Sequence, residues 1–152
     1  MAYSVYSLPE TVTVYSHPNI GQMTISDETN GGGRVSITWS GDMSSHQATA
    51  NGYTVITKLH IVNGVIGLEV PQNSPADKWL RKACAYLDTT VPANFALSTI
   101  TIQDHASGMI WNASGVTPQK KPDRQYDQNG GMVSYTFLCA KIVESGPKSE
   151  GW

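Results

Sequence analysis

A catalytic or metal centre would have to be built from the chain's acids, histidines and thiols, and their spacing argues against one. Asp104-His105 is the only acid beside a histidine. Adjacent residues in a strand or turn point to different sides, so this pair is poorly placed for a proton relay. No Gly-x-Ser-x-Gly elbow accompanies it. His17, His46, His60 and His105 show neither His-x-x-x-His nor His-x-His spacing, so a metal site could arise only by tertiary convergence. Cys84 and Cys139 form no Cys-x-x-Cys pattern and sit in apolar surroundings, which fits buried free thiols. Gly31-Gly32-Gly33 lacks the Lys-Ser/Thr and the helix of a phosphate loop, and reads as a mobile turn. With no convergent acid, base and nucleophile, the chain does not read as an enzyme, and no cofactor or metal is implied.

Other residues are better suited to contact than to catalysis. Lys120-Lys121-Pro122-Asp123-Arg124 is a small basic cluster. It reads either as a solvated loop or as a contact made by Lys120, Lys121, Asp123 and Arg124 with an acidic protein surface. The segment Ser40 to Gly52 is rich in Ser, Gly and small residues yet carries Met43 and His46. A loop this long without structure of its own is usually functional or disordered, so Ser40, Asp42, Met43, Ser44, His46 and Asn51 are candidate assembly residues. Four tryptophans and seven tyrosines raise the possibility of sugar stacking. Trp39 lies on an apolar strand face and Trp79 on a helical stripe, which leaves Trp111 with Tyr126 as the one candidate pair for a carbohydrate-binding module.

The bulk composition favours a protein that packs against others. Charged residues make up 14% of the 152 positions, against about 25% in typical soluble domains. Charge keeps monomers apart, so a sparsely charged surface suits a chain packed among neighbours. All-β proteins can share this composition. The formal net charge is −2, and eight of the ten cations lie from Lys78 onward, so the first 70 residues do not read as a nucleic-acid-binding surface. No basic, apolar leader opens the chain and no apolar run approaches ~18 residues, so the expectation is synthesis in the cytoplasm without a membrane span.

The elements that must position these residues follow mostly from period-two patterning. Thr11 to Tyr15 and Arg34 to Trp39 alternate polar and apolar residues as half-buried strands, with a weaker strand from Gln22 to Ser26. Tyr53 to Val62 and Val65 to Val70 are strand-like runs joined by Asn63-Gly64, a hairpin signal. Their apolar residues fall on both faces, which calls for a second cover such as a neighbouring subunit.

One segment breaks the period. Ser74-Pro75-Ala76-Asp77 has a capping Ser, a Pro at the first helical position and an acid three residues after the cap. Ala76, Trp79, Leu80, Ala83, Cys84 and Leu87 then recur at helical spacing, with Lys78, Arg81 and Lys82 opposite, giving one amphipathic helix over 75–88. Beyond Pro92, strands are expected around Phe95 to Gln103 and Met109 to Ala113. A long polar loop follows from Ser114 to Gly131. In the last strand, Met132 to Glu144, Val133, Tyr135, Phe137, Cys139 and Val143 share a face. The chain reads as a single mainly-β domain, 1–152, with a mobile tail over 145–152. The expected fold is a β-sandwich or partly open barrel with one flanking helix.

Several of these pieces together resemble a known family. The chain opens Met-Ala-Tyr-Ser-Val-Tyr-Ser and reaches Met-Ser-Ser-His at Met43 to His46. A strand then runs into the helix through Gly67-Leu68-Glu69-Val70-Pro71-Gln72-Asn73-Ser74-Pro75-Ala76. Later come Lys-Lys-Pro-Asp at Lys120 to Asp123 and the aromatic strand Tyr135-Thr136-Phe137. Over residues 1 to 144 this resembles the tail tube proteins of long-tailed bacteriophages, whose fold recurs in type VI secretion tubes. The resemblance implies hexameric rings whose inner strands close into one β-barrel. Stacked rings then form a tube that passes the tape-measure protein and the DNA, within a sheath if the tail is contractile. It also implies a virion component made in the host cytoplasm. If the strands between Tyr53 and Val70 line the channel, Thr54, Lys58, His60 and Glu69 are the candidate channel-facing residues. Lys58 is then expected to pair with a carboxylate such as Glu69 or to turn away, since a ring of cations would grip phosphate.

Overall fold

Alternating residues in Thr11–His17 place Thr13, Tyr15 and His17 on one side, and in the computed structural model all three are buried in strand β1. The structure describes residues 11–25 and 34–146. The Met1–Ser7 opening, Ser26, the Asn30–Gly33 turn and the tail from residue 147, including Trp152, therefore lie outside the described residues.

β1 pairs on one side with β2 (Gly21–Ile25) and on the other with β7 (Ser98–Asp104). The sheet continues through β8 (Met109–Pro118), β9 (Met132–Ser145), β6 (Gly64–Pro71) and β3 (Arg34–Trp39). Every pairing is antiparallel, and the order β2-β1-β7-β8-β9-β6-β3 makes a curled, seven-stranded half-barrel. This matches the expected partly open barrel with one long helix. A separate two-stranded sheet holds β4 (Ser44–Ala48) and β5 (Thr54–Lys58).

Helix α1 (Pro75–Thr89) lies against one face of the sheet. Ser74 caps it by accepting the Asp77 N–H at 3.2 Å, and Pro75 begins it without needing a donor. Leu80, Ala83, Cys84 and Leu87 are buried, while Trp79 is half-buried and meets Tyr15 edge-on at 5.5 Å. The core joins this stripe to Ile66, Leu68, Val70, Ile100, Ile102, Val133, Tyr135 and Phe137. A four-residue helix, α2 (Pro92–Phe95), precedes β7 where a strand was expected to begin. It fixes His17, whose Nδ1 accepts the Asn19 N–H at 3.1 Å while Nε2 donates to the Asn94 carbonyl at 2.8 Å.

Three sequence expectations are corrected. Asn63-Gly64 does not join two paired strands: β6 pairs with β3 and β9, and β5 pairs with β4. Gly64 is small for another reason, since a Cβ there would meet the Thr38 carbonyl oxygen at 2.6 Å and Ile142 Cδ1 at 2.7 Å. The strand ending at Ala113 and the loop from Ser114 are also revised, because β8 runs on to Pro118. Gly115, at φ 63°, lets the strand pass a bulge instead of ending it. Opposite that bulge, β9 changes which side it buries. Val133, Tyr135, Phe137 and Cys139 face the core, but the next buried residue is Ile142, and Val143 is turned out.

Candidate functional site

The segment expected to be an unstructured loop, Ser40 to Gly52, is instead half of a β-arm. β3 and β6 run in register from Arg34↔Glu69 to Trp39↔Gly64, and the Ser40 N–H bonds the Asn63 carbonyl at 3.2 Å. Pairing resumes at Leu59 N–H to Met43 carbonyl, 2.8 Å, and continues from Ser44↔Lys58 to Ala48↔Thr54. Two residues on one side, 41 and 42, therefore oppose three on the other, 60 to 62, so the ribbon bends at a bulge and then projects beyond the sheet. Thr49 closes the tip, bonding the Tyr53 carbonyl through its N–H at 2.8 Å and its hydroxyl at 3.0 Å. Every residue of β4 and β5 is exposed, including Val55 and Ile56, and Met43 and Tyr53 beside them are 82% and 71% accessible.

Candidate assembly residues Ser40, Asp42, Met43, Ser44, His46 and Asn51 all belong to this arm or its root. Thr54 and Lys58 stand on the same arm, sharing a face with Ser44, His46 and Ile56, and His60 lies in the bend. Glu69 is elsewhere, on β6 opposite Arg34 and Ser134, where it accepts the Ser134 hydroxyl at 3.3 Å. The four candidate channel-facing residues therefore do not share one surface. Lys58 does not pair with Glu69, and it forms no ion pair among the described residues.

Glu69 belongs to a different feature, the sheet face turned away from α1. Strand registers place Arg34, Ser36, Thr38, Gly67, Ser134 and Thr136 on that face at one end of the sheet order. Thr99, Thr101, Asn112 and Ser114 continue it, with the Thr101 hydroxyl donating to Asn112 Oδ1 at 3.1 Å. Val65, Leu138, Val143 and the cation Lys141, opposite Ser114, interrupt it. Hydroxyls and amides dominate, and Arg34 stands directly opposite Glu69.

The basic cluster runs along α1, from Asp88 in its last turn to Asp77 in its first. Arg124 does not project into solvent. It forks onto the fully buried Asp77 carboxylate, Nη1 to Oδ2 at 3.0 Å and Nη2 to Oδ1 at 2.8 Å. The Tyr135 hydroxyl donates to Asp77 Oδ1 at 2.7 Å, and the Asn73 N–H to Oδ2 at 2.9 Å. Burial opposes the Asp77 charge, but the hydrogen bonds from Arg124, Asn73 and Tyr135 outweigh it and hold the carboxyl well below the usual range. Burial pushes the Tyr135 hydroxyl up, and the adjacent Asp77 charge adds to the shift. Lys121 reaches Asp88 of α1 at 3.1 Å and Lys120 reaches Asp123 at 3.6 Å, both on the surface. The sequence marked Asp77 only as a first-turn acid. Its Arg124 and Tyr135 partners, 47 and 58 residues away, carry no local signal.

The remaining chemistry-bearing residues stay apart. Asp104 organises the β7–β8 turn by accepting the Ala106 N–H and the Ser107 hydroxyl, at 3.1 and 2.9 Å. Cys84 and Cys139 are buried free thiols, and burial raises both, Cys139 to about 11. Among the described residues, no three His, Cys, Asp or Glu side chains gather as metal ligands, and no helix is long and apolar enough to cross a membrane. Trp111 packs on the core and donates to Glu144 at 3.2 Å. Its expected partner Tyr126 lies two residues beyond Arg124, which bonds Tyr135, whereas Trp111 bonds Glu144, nine positions farther along β9 and ~30 Å away. The two rings form no common platform.

Against known families, the model described as bacteriophage PhiTE tail tube protein matches residues 3–145. No curated protein matches. Among solved structures, the chain is similar to the tube terminating cap of the anti-feeding prophage, with TM-score 0.61, 9% identity and coverage of 97% of this chain and 94% of that one. It is also similar to a chain of the extended-state PVC sheath/tube terminator, with TM-score 0.61, 12% identity and coverage of 96% and 100%. A chain of the extended-state PVC sheath-tube complex gives TM-score 0.56 at 11% identity, covering 94% and 93%. At such identities the likeness concerns the fold.

Proposed function

The chain belongs to the bacteriophage PhiTE tail tube protein family, and from that premise we propose that it closes into hexameric rings that stack as a tail tube. The tape-measure protein and then the DNA pass through the channel, and a sheath surrounds the tube. In this reading the protein is a structural virion component, not an enzyme, and it is made in the host cytoplasm.

The observation that carries the reading is the asymmetry of the curled sheet. One face is covered by α1, while the other is uncovered among the described residues and rich in hydroxyls, with Arg34, Glu69 and Lys141 as its charges. That second face suits a channel wall, because each phosphate contacted by a cation adds salt-dependent affinity and would retard a moving genome. Glu69 opposite Arg34 fits such a wall. Two further features support self-assembly. Among the described residues β3 ends the sheet order with one side unpaired, and closing a barrel between copies removes such an edge. The arm is a two-stranded ribbon that covers neither of its own faces, and Thr54, Lys58 and His60 ride on it. We assign it to contact with a neighbouring subunit or ring.

Electron microscopy of the concentrated protein tests the proposal. The expected images are rings or long hollow tubes with a regular axial repeat. A clean monomer at high concentration would overturn it.

A further inference from the structure

The outer side of α1 and the loop from Gln119 to Arg124 form one basic surface whose charge the ion pairs only partly neutralise. The two segments together carry Lys78, Arg81, Lys82, Lys120, Lys121 and Arg124 against Asp77, Asp88 and Asp123, a balance of +3. The chain's net charge is −2, so the remainder carries −5. Lys78 and Lys82 are exposed and form no ion pair among the described residues.

The surface also has shape. A groove of about 230 Å³ runs between α1 and the loop, lined by Arg81, Cys84, Ala85, Lys121, Pro122 and Arg124, with Tyr135 at its base. Its floor is apolar, from Cys84, Ala85 and Pro122, and its rim is cationic. Arg81 reaches Asp77 only at 3.3 Å, and that carboxylate already holds the Arg124 fork; the Arg81 side chain remains 48% exposed. Among the described residues Lys121 is tied only to the exposed Asp88, an ion pair worth about 0–1 kcal/mol.

We propose that this groove docks a glutamate-bearing acidic segment of the protein that encases the tube. The side-chain methylenes would lie on the apolar floor, and the carboxylate between Arg81 and Lys121. The assignment rests on the tail-tube reading, which turns the hydroxyl-rich face inward and α1 outward. Charge complementarity then selects the partner's chemistry, and the outward position selects an encasing protein over the transported nucleic acid. The buried Asp77–Arg124 fork anchors the loop, so the groove is preformed rather than assembled on contact.

The test uses assembled tubes and a fluorescent twenty-residue polyglutamate peptide, with a twenty-nucleotide single-stranded DNA as the competing polyanion. Wild-type tubes are expected to bind the peptide more tightly than the DNA. Binding should weaken at least tenfold between 50 and 200 mM salt, and at least tenfold in the double variant Lys82→Glu/Lys121→Glu. Lys141→Glu, on β9, should bind as wild type. Unchanged peptide binding in the double variant would overturn the proposal, and so would equal or tighter DNA binding. Loss of tubes in the double variant alone would also overturn it, by showing that the surface joins copies of the chain. Failure of the wild type to form tubes would instead defeat the underlying functional reading.

Discussion

Asp77 holds a negative charge at a site with no solvent access, and it does so because three kinds of donor converge on it: a guanidinium, a phenol and a backbone N–H. Its carboxyl titrates below the ~3.9 of an unfolded aspartate. The stability it contributes is therefore complete above about pH 4 and is lost as the pH falls toward the lower folded value. Asp77→Asn leaves Arg124 without its counter-charge in a mostly buried position. The expected cost at pH 7 is about 3 kcal/mol in chemical denaturation, the scale for breaking a buried pair. The variant should also show a flatter acid limb below pH 4. A loss under 1 kcal/mol with an unchanged acid limb would mean that the cluster is dispensable. At this scale the sequence was half legible. The Ser-Pro start and the apolar stripe fixed the helix and the docking of Leu80, Ala83 and Leu87, because capping and periodicity are local. The role of Arg124 was not visible, because a salt bridge across 47 residues leaves no spacing to read.

The arm shows the same contrast between local and long-range information. Val55, Ile56 and Thr57 have strand-forming side chains, and β5 was readable as a strand. Its partner Ser44-Ser45-His46-Gln47-Ala48 has no β-branched residue and no Phe, Tyr or Trp, so it reads as loop. Its strand conformation is imposed by the backbone pairing that begins at β3. Asn63-Gly64 misled for a related reason. A glycine beside an asparagine suits a tight turn, but close packing against Thr38 and Ile142 demands the same residue. An isolated two-stranded ribbon is marginal in water, so the arm draws little stability from its own pairing. Replacing residues 41–62 by Asn-Gly should join Ser40 to Asn63 through a two-residue turn while leaving β3 paired with β6. The expected product is a folded subunit, with circular dichroism and melting close to wild type, that forms no long tubes in electron micrographs. Normal tubes from this variant would remove the arm from assembly. Unfolding would show that the arm supports the subunit's own core.

At the scale of the whole molecule, the low charge and the two-sided apolar strands anticipated a surface made for neighbours, and the curled sheet gives that surface a direction. The hydroxyl-rich face and the helix-bearing face cannot both look outward in a closed ring. Thr136 stands on the first, between Ser134 and Leu138 on β9 and opposite Gly67, and Lys82 stands on the second. Both native thiols are buried, so they contribute little background to thiol labelling. Thr136→Cys and Lys82→Cys can therefore report the direction in assembled tubes. A small maleimide that diffuses along a channel should modify both. A maleimide on a large polyethylene glycol should modify Lys82→Cys at the rate seen in free subunits and slow by at least tenfold at Thr136→Cys. The physical reason is confinement: a chain larger than the bore loses conformational entropy on entering it, whereas nothing crowds it outside. Protection of Lys82→Cys with free access at Thr136→Cys would turn the sheet inside out. The hydroxyls would then face the exterior, the basic groove on α1 would line the bore, and a passing genome would meet cations instead of neutral side chains.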